Sequence, residues 1–439
     1  MRFLTKFYTA ILVIVISIVF MIMFVVKDLV LMMDDNTNFE YIPKEAVFVA
    51  RINTSELIKS SASELLTTQD PEIKEQMQKL DLKSGKRTFN GINFSSNVYM
   101  FILPFEGEFV EGFLFNITDK TLFQEYYQSQ KKYIFSSNDE VGVVFLRDLE
   151  SFTEQARKKL STTADQLIQK PQNNESQIGF SNSEAIISTW SSDVSAGLPF
   201  SNKLDLSFES DKILLKGTLT SETDLSHGWN YLERKGISFN TSFIPENIND
   251  SINKLLKNND DRITIESISL NYSGVNFEQT TKLSIVPEME VLLDFTSNVN
   301  QDTLLNRLHR EKYIQLSDSS GFTFNEVAFS VAQPQGDQLL IYSGNAPSPI
   351  EVRNELLEFS GDPSLLFKVG GNSPYGQFLN FIPLFRSGRQ LTDATETINL
   401  KVTPGKNGTH QVNGVLLFKK DRSPILELIK FMNNAALLK

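Results

Sequence analysis

The chain has 439 residues, a net charge of −11 at pH 7 and no cysteine, and 34 of its residues are phenylalanine. The absence of cysteine excludes disulfides, thiolate metal sites and a lipid-modified N-terminal cysteine. An acidic chain without a basic run repels phosphate backbones, so we expect no nucleic acid among its partners. The aromatic content is typical of a globular, strand-rich protein rather than a disordered one.

The segment from Phe7 to Val26 is uncharged and long enough to span the ~30 Å hydrocarbon core of a membrane as a helix. Arg2 and Lys6 precede it, and acidic residues follow, so the positive-inside rule predicts a cytoplasmic N-terminus. The run is longer than a signal-peptide core and lacks an Ala-x-Ala site. We therefore predict an uncleaved signal anchor, a single-pass inner-membrane protein and a large periplasmic domain, with a cleaved signal as the alternative.

The remaining ~400 residues exceed the length at which one hydrophobic core usually divides, so we expect at least two domains. Residues 1–33 are predicted to form the cytoplasmic tip and transmembrane anchor. Residues 40–222 are predicted to form a first α+β repeat and residues 240–439 a second. A linker is expected near Ser221 to Asn240.

Alternating apolar residues and helix-capping signals give the order of elements in the first half. A strand within Tyr41 to Ile52 leads into a helix capped near Thr54 or Ser55. The elements predicted after it are a hairpin of Val98 to Leu103 with Phe109 to Ile117, a helix capped by Thr118 and Asp119, a strand pair at Tyr133 to Phe135 and Val141 to Leu146, an amphipathic helix at Asp148 to Gln169, and a hairpin of Leu204 to Phe208 with Ile213 to Leu219.

The second half is interpreted as a repeat of this order. Four echoes support that interpretation: Ile42-Pro43 with Ile244-Pro245, Gly112 to Thr118 with Val291 to Thr296, Lys132-Tyr133-Ile134 with Lys312-Tyr313-Ile314, and Leu204 to Leu219 with Ile398 to Phe418. The chain ends in a predicted amphipathic helix.

The predicted fold class is therefore α+β, with an N-terminal transmembrane helix followed by two similar halves, each an antiparallel sheet with packed helices. The helix after Ile117 carries an apolar stripe, and so does the helix after Phe295. The stripes are Leu122, Phe123 and Tyr126 in the first helix and Leu304, Leu305 and Leu308 in the second. Because a one-sided stripe needs a surface to cover it, each helix should pack on the sheet of its own half.

The predicted mature domain opens with the sequence IPKEAVFVARINTSELI, from Ile42 to Ile58. Together with the anchor, this opening resembles uncharacterised single-pass membrane-anchored envelope proteins of Gram-negative bacteria. The resemblance implies a periplasmic location. It supplies no catalytic residues.

Candidate catalytic residues are few. The three histidines, His227, His309 and His410, stand far apart, whereas a zinc site normally has paired ligands at short spacing. No Gly-x-Ser-x-Gly elbow, phosphate-binding loop or complete calcium loop is present. We therefore predict no catalytic, cofactor-binding or metal-binding residue and no cofactor.

Two classes of function remain. The first is a membrane-anchored periplasmic binding or scaffold protein of the bacterial envelope, without enzymatic activity, that binds an envelope protein or an apolar ligand. The second is a periplasmic hydrolase with a dispersed active site, in which His309 or His410 would act as the base. Phe94 to Phe115 and Tyr375 to Phe385 are dense in apolar residues, which is typical either of core elements or of an apolar docking face.

Overall fold

The computed structural model describes most of the chain from residue 37 to residue 427. The described ranges are 37–57, 91–93, 96–130, 133–146, 152–171, 185–192, 200–221, 228–244, 264–279, 283–317, 321–324, 327–344, 347–367, 391–420 and 422–427, with residues 60, 178, 180, 249, 250 and 253. At 37, 200–202, 221, 276–279 and 283–285 the structure describes the backbone alone.

None of the helices within these ranges is both long and apolar enough to cross a membrane. This finding corrects the prediction of a single-pass inner-membrane protein with a transmembrane helix and a signal anchor. The segment predicted to span, Phe7 to Val26, lies outside the described residues, as does the helix predicted at the C-terminal end beyond residue 427.

The described residues fall into two compact units. The first contains the residues up to 210, with 215–220 and the segment from 423, and the second contains 211–214 and 221–422. The domain limits predicted from the sequence, 40–222 and 240–439, stay a prediction.

The first unit is built on an antiparallel sheet with the strand order β7-β6-β1-β2-β3-β5-β4. Its elements in chain order are β1 (Phe48–Ile52), β2 (Val98–Phe105), β3 (Glu108–Asn116), α1 (Lys120–Ser129), β4 (Tyr133–Ser137), β5 (Val141–Leu146), α2 (Glu154–Gln169), β6 (Ile187–Ser191) and β7 (Phe200–Phe208). A 3₁₀ turn at Thr37–Tyr41 precedes β1, and β8 (Lys212–Ser221) includes residues of both units.

The hairpin predicted between β2 and β3 is confirmed. Its two turn residues, Glu106 and Gly107, have φ angles of 50° and 80°. Positive φ at both central positions is the backbone of a type I′ turn, whose twist matches that of the flanking strands. The predicted cap of α1 is confirmed as well, because the Leu122 N–H donates to Asp119 Oδ1 at 3.0 Å.

One helix covers each face of this sheet. Alternate residues of β5 point to opposite faces of the sheet, so neighbouring residues of this strand contact different helices. Val143 packs in a core with Leu160 of α2, whereas Val144 packs in a second cluster with Phe123 and Tyr127 of α1. The predicted stripe of α1 is therefore wrong at one position, since Tyr127 is buried and Tyr126 is exposed.

The second unit contains an antiparallel sheet with the strand order β13-β14-β15-β16-β12-β11-β10-β18-β19-β20. Two further strands, β9 and β17, pair with each other as a separate ribbon. The elements are β9 (Trp229–Leu232), β10 (Ile237–Thr241), β11 (Ile265–Gln279), β12 (Leu283–Phe295), α3 (Gln301–Arg310), β13 (Gln315–Leu316), β14 (Gly321–Phe324), β15 (Val327–Ala332), β16 (Gln338–Ser343), β17 (Ile350–Arg353), β18 (Leu357–Gly361), β19 (Thr395–Thr403) and β20 (Thr409–Phe418), with 3₁₀ turns at Pro363–Phe367 and Lys406–Gly408.

One face of the second sheet is apolar and is covered by α3. Leu304 and Leu305 of the helix pack against Phe295 and Phe322 of the sheet, and Leu308 lies at the margin of the same cluster. The predicted stripe of this helix is thus confirmed. Asn300 caps the N-terminus of this helix, because its side-chain oxygen accepts a hydrogen bond from the Thr303 N–H at 2.9 Å.

The predicted α+β fold class is wrong, because the structure is mostly antiparallel sheet. The described residues contain twenty strands, three α-helices described over their full length, of 10, 16 and 10 residues, and short helical stretches at 54–57, 391–394 and 424–427. The predicted internal repeat of two similar halves is not retained either. The first pair of echoes does not occupy equivalent places, since Ile42 precedes β1 whereas Ile244 follows β10. The order of elements differs as well, because two strands follow α1 before the next helical element and six strands follow α3.

The contact between α1 and β5 gives a testable prediction. A methyl group at Gly142 would lie 2.5 Å from Phe123 Cζ, so Gly142→Ala should lower the free energy of unfolding by about 1 to 3 kcal/mol. In a Phe123→Ala background the ring is gone, and the same substitution should cost much less. A double-mutant cycle measured by urea unfolding tests this coupling, and equal costs in both backgrounds would contradict it.

Candidate functional site

The second face of the sheet in the second unit is polar and carries the ribbon of β9 and β17. Side chains of the sheet bond to the backbone of β9. Ser269 Oγ accepts from the Leu232 N–H at 2.9 Å, and Ser267 Oγ donates to the Asn230 carbonyl at 3.3 Å. Asn230 in turn donates its side-chain amide to Asp294 at 2.8 Å. The sheet therefore holds the ribbon by directed hydrogen bonds as well as by apolar contacts.

The polar side chains form two rows across the strands. One row contains Glu358, Asn240 and Ser269, which are cross-strand neighbours on β18, β10 and β11. The second row contains Ser360, Ser238, Asn271 and Glu290 on β18, β10, β11 and β12. Every member of both rows is buried. Buried polar groups are costly unless they are bonded, so these rows require partners from the ribbon and from each other.

Glu358 is the charged member of the first row and is fully buried. Its Oε2 lies 2.6 Å from Arg353 Nη1, and its Oε1 lies 2.6 Å from Arg234 Nη2 and 3.4 Å from Lys401 Nζ. Arg353 also donates from Nη2 to the Leu232 carbonyl at 2.7 Å. One buried carboxylate thus faces three cations, and we call Glu358 with these three side chains the charged cluster. The three cations compensate the cost of removing the charge of the carboxylate from water.

Asn240 joins this cluster to the next strand. Its amide orientation is assigned from its neighbours: with the nitrogen toward Ser269, the oxygen accepts from Arg353 Nη1 at 3.2 Å. Asn240 is itself completely buried. The guanidinium of Arg353 is therefore fixed by two sheet residues and by the backbone of β9.

Glu290 is the charged member of the second row. Lys235 donates to its Oε1 and Asn271 to its Oε2, both at 3.1 Å. Burial acts to raise the pKa of Glu290, but hydrogen bonds from Ser348, Asn271 and Lys235 hold that pKa below its ordinary value. The carboxylate is therefore ionised at neutral pH.

Glu355 follows β17 and is bound from two sides. The Tyr231 hydroxyl donates to its carbonyl at 2.9 Å, and Lys401 Nζ lies 3.2 Å from its Oε1. Burial acts to raise the pKa of the Glu355 carboxyl, but a backbone hydrogen bond and Lys401 keep it below the ordinary value. Burial also raises the pKa of the Tyr231 hydroxyl, which stays protonated.

A cavity of about 780 Å³ lies beside β17 in this unit. Its lining is contributed by one residue before β10, by β17 with the two residues after it, and by the end of β19 with the turn that follows. The lining residues are Arg234, Glu351, Val352, Arg353, Asn354, Glu355, Thr403 and Pro404. The lining combines both signs of charge with one exposed apolar residue, Val352, of which 69% is accessible.

The two described histidines do not share a site with this cavity. His309 lies in α3, with its Nδ1 3.2 Å from the Ile314 carbonyl oxygen. His410 lies in β20, is 2% exposed, and has no partner for either ring nitrogen among the described residues. Its described ring neighbour is Phe243, at 6.4 Å between centroids. His227 lies outside the described residues.

The apolar stretches singled out in the sequence have different outcomes. Within Phe94 to Phe115, the described residues from Val98 onward form β2 and β3 in the core of the first unit. Tyr375 to Phe385 lies outside the described residues. No group of three or more histidine, aspartate or glutamate side chains able to hold a metal occurs in the part of the chain that the structure describes.

The sequence analysis predicted neither the two polar rows nor the charged cluster that adjoins them, although the sequence contains one signal of the rows. Ser267, Ser269 and Asn271 alternate with apolar residues in β11, and the same alternation occurs at Ser238 and Asn240 in β10. Such alternation is usually interpreted as a solvated sheet face. Only the ribbon that covers this face makes the same residues buried.

Comparisons with known proteins add no assignment. No protein-family model matches the chain, and no curated protein matches it. A solved structure described as "Structure of crystal form IV of TP0453" is 8% identical, and its match covers 42% of this chain and 81% of that chain with a TM-score of 0.24. A similarity at that TM-score does not establish a common fold. The resemblance to Gram-negative envelope proteins stays a prediction.

The charged cluster gives a prediction on stability. Glu358→Gln leaves Arg353 and Lys401 without their buried counter-charge and should lower the free energy of unfolding by about 3 to 5 kcal/mol. Glu351→Gln is the matched control, because Glu351 also pairs with Arg353 but its side chain is 47% exposed. The control should cost less than about 1 kcal/mol. Equal losses of unfolding free energy for the two variants, measured by urea unfolding, would contradict the idea that burial of Glu358 makes its ion pairs more important for stability.

His410 gives a prediction on pH dependence. Burial lowers the pKa of His410 below its ordinary value of 6.5, so the unfolded chain binds a proton at this residue before the folded chain does. Stability should therefore fall as the pH drops below about 6.5, by up to about 1.4 kcal/mol per pH unit. His410→Leu should remove this part of the slope between about pH 7.5 and pH 5. Gln411→Leu, at an exposed neighbouring position, should retain the slope.

Proposed function

We propose that the protein is a non-enzymatic binding or scaffold protein and that the cavity beside β17 is its binding site. The observation that carries this proposal is the fixed charge arrangement in the wall of the cavity. Arg353 lines the cavity while its guanidinium is held by buried Glu358 and by the Leu232 carbonyl. A wall ordered before binding needs little reorganisation when a ligand arrives, which favours affinity.

The size and lining of the cavity indicate the kind of ligand. A volume of about 780 Å³ lies within the range of roughly 300 to 1,000 Å³ that is usual for ligand sites. Arg234 and Glu351 are the half-exposed charges of opposite sign in its lining. The site therefore fits a polar ligand, or a protein segment, that carries both donors and acceptors better than it fits an apolar ligand.

The alternative of a hydrolase based on His309 or His410 gains no support from a specific contact. His309 faces a backbone carbonyl, and His410 is buried beside an aromatic ring.

Binding to the cavity can be tested with Arg234→Ala. The side chain is 46% exposed, and Glu358 keeps Arg353 and Lys401 as partners when Arg234 is removed. We expect charged fragments of a general small-molecule set to bind the wild-type protein in saturation-transfer NMR and to lose about tenfold in affinity in the variant, as for a lost charged hydrogen bond.

Arg310→Ala removes the same charge from the exposed last turn of α3 and serves as the matched control. Fragments bound through the cavity should keep their affinity for this control. A set in which no fragment distinguishes Arg234→Ala from Arg310→Ala would contradict the proposed site.

A further inference from the structure

We propose that the occupant of the cavity is an extended polypeptide segment of a partner protein, which adds to the free edge of β17 as a third strand of the ribbon. This inference rests on the proposed function and names the class of ligand for the same site. It follows from the hydrogen-bond register of β9 and β17, from the backbone groups that the register leaves unpaired, and from the position of the cavity.

The register fixes which backbone groups of β17 point away from β9. Ile350 lies opposite Leu232 and Val352 opposite Asn230. The Glu233 N–H donates to the Pro349 carbonyl at 2.7 Å, which makes that neighbouring pair a hydrogen-bonded one. Because hydrogen-bonded and non-hydrogen-bonded pairs alternate in an antiparallel ladder, Ile350 and Val352 belong to non-hydrogen-bonded pairs. Their N–H and C=O groups therefore point to the outer edge.

The outer edge of β9 confirms this alternation independently. The N–H of Leu232 donates to Ser269 and its carbonyl accepts from Arg353, so neither group is used by Ile350 opposite. The Asn230 carbonyl accepts from Ser267 rather than from Val352. Both strands thus turn alternate backbone groups outward. The sheet occupies those of β9, whereas those of Ile350 and Val352 have no partner in the part of the chain that the structure describes.

The cavity lies along β17, and Glu351, Val352 and Arg353 all contribute to its lining. An unpaired strand edge presents donors and acceptors two residues apart, a spacing that another extended main chain reproduces. Strand addition to such an edge is an established mode of peptide recognition, in which main-chain hydrogen bonds give affinity and neighbouring side chains give selectivity. Here Arg234 and Glu351 offer one charge of each sign to the side chains of the added strand.

A random dodecapeptide display library, selected on the immobilised full-length protein, supplies the probes. Selected peptides are synthesised, and their affinities are measured by fluorescence anisotropy. Val352→Pro removes the outward N–H, and proline is tolerated at an edge where that group faces solvent. Val352→Ala is the matched variant, because it also loses the valine side chain but keeps the N–H. Thermal unfolding of both variants establishes that the ribbon is intact.

We expect the selected peptides to bind Val352→Pro about tenfold more weakly than Val352→Ala, because an acceptor in the peptide loses its donor. N-methylation of alternate peptide residues should weaken binding similarly, and the Val352 amide should become protected from hydrogen exchange in the complex. Equal affinity for the two Val352 variants, or unchanged binding of the N-methylated peptides, would overturn strand addition.

The outcomes separate this inference from the proposed function. Peptides that lose affinity in Arg234→Ala but bind the two Val352 variants equally would leave the cavity as a binding site and refute the added strand. If no selected peptide distinguishes Arg234→Ala from Arg310→Ala, the peptide inference fails. In that case the cavity remains supported as a binding site if charged fragments distinguish the same two variants. If the fragments do not distinguish them either, the proposed binding site is refuted together with the peptide inference.

Discussion

The second unit depends on the buried carboxylate of Glu358. A fully buried charge is tolerated only when opposite charges and hydrogen bonds replace its hydration, and Arg353, Arg234 and Lys401 provide that replacement from three different segments. Arg353 belongs to the ribbon and Lys401 to the sheet. The carboxylate therefore links the ribbon to the polar face on which it lies, and it fixes the position of the cavity wall.

The polar face explains why the ribbon is held in one register. Apolar contacts among Leu232, Leu292 and Leu340 bury surface beneath it but have little directional preference. The hydrogen bonds between the backbone of β9 and the hydroxyls of Ser267 and Ser269 are directional, and shifting the ribbon by one residue would turn the bonded backbone groups away from these hydroxyls. Bonding on one side of the ribbon leaves the other edge, at β17, available for a partner.

The first unit has a different basis. Its sheet is covered on both faces by helices, and the contacts are aromatic and aliphatic rather than charged. Phe123 lies against Gly142, where the absence of a side chain lets the ring approach the strand. The first unit is therefore held by an ordinary hydrophobic core. The second unit places a network of buried charges next to an open cavity.

The sequence by itself determined the local elements. Alternation and capping residues located β2, β3, α1 and α3, because these signals depend on neighbours within a few residues. Only the tertiary structure decided the rest. The apolar pattern of α1 includes both Tyr126 and Tyr127. Packing of the helix against β5 decides that Tyr127 is the buried one. Asn240 and Glu358 form a site because strands more than 100 residues apart pair there, and no local pattern in the sequence encodes which distant strands meet.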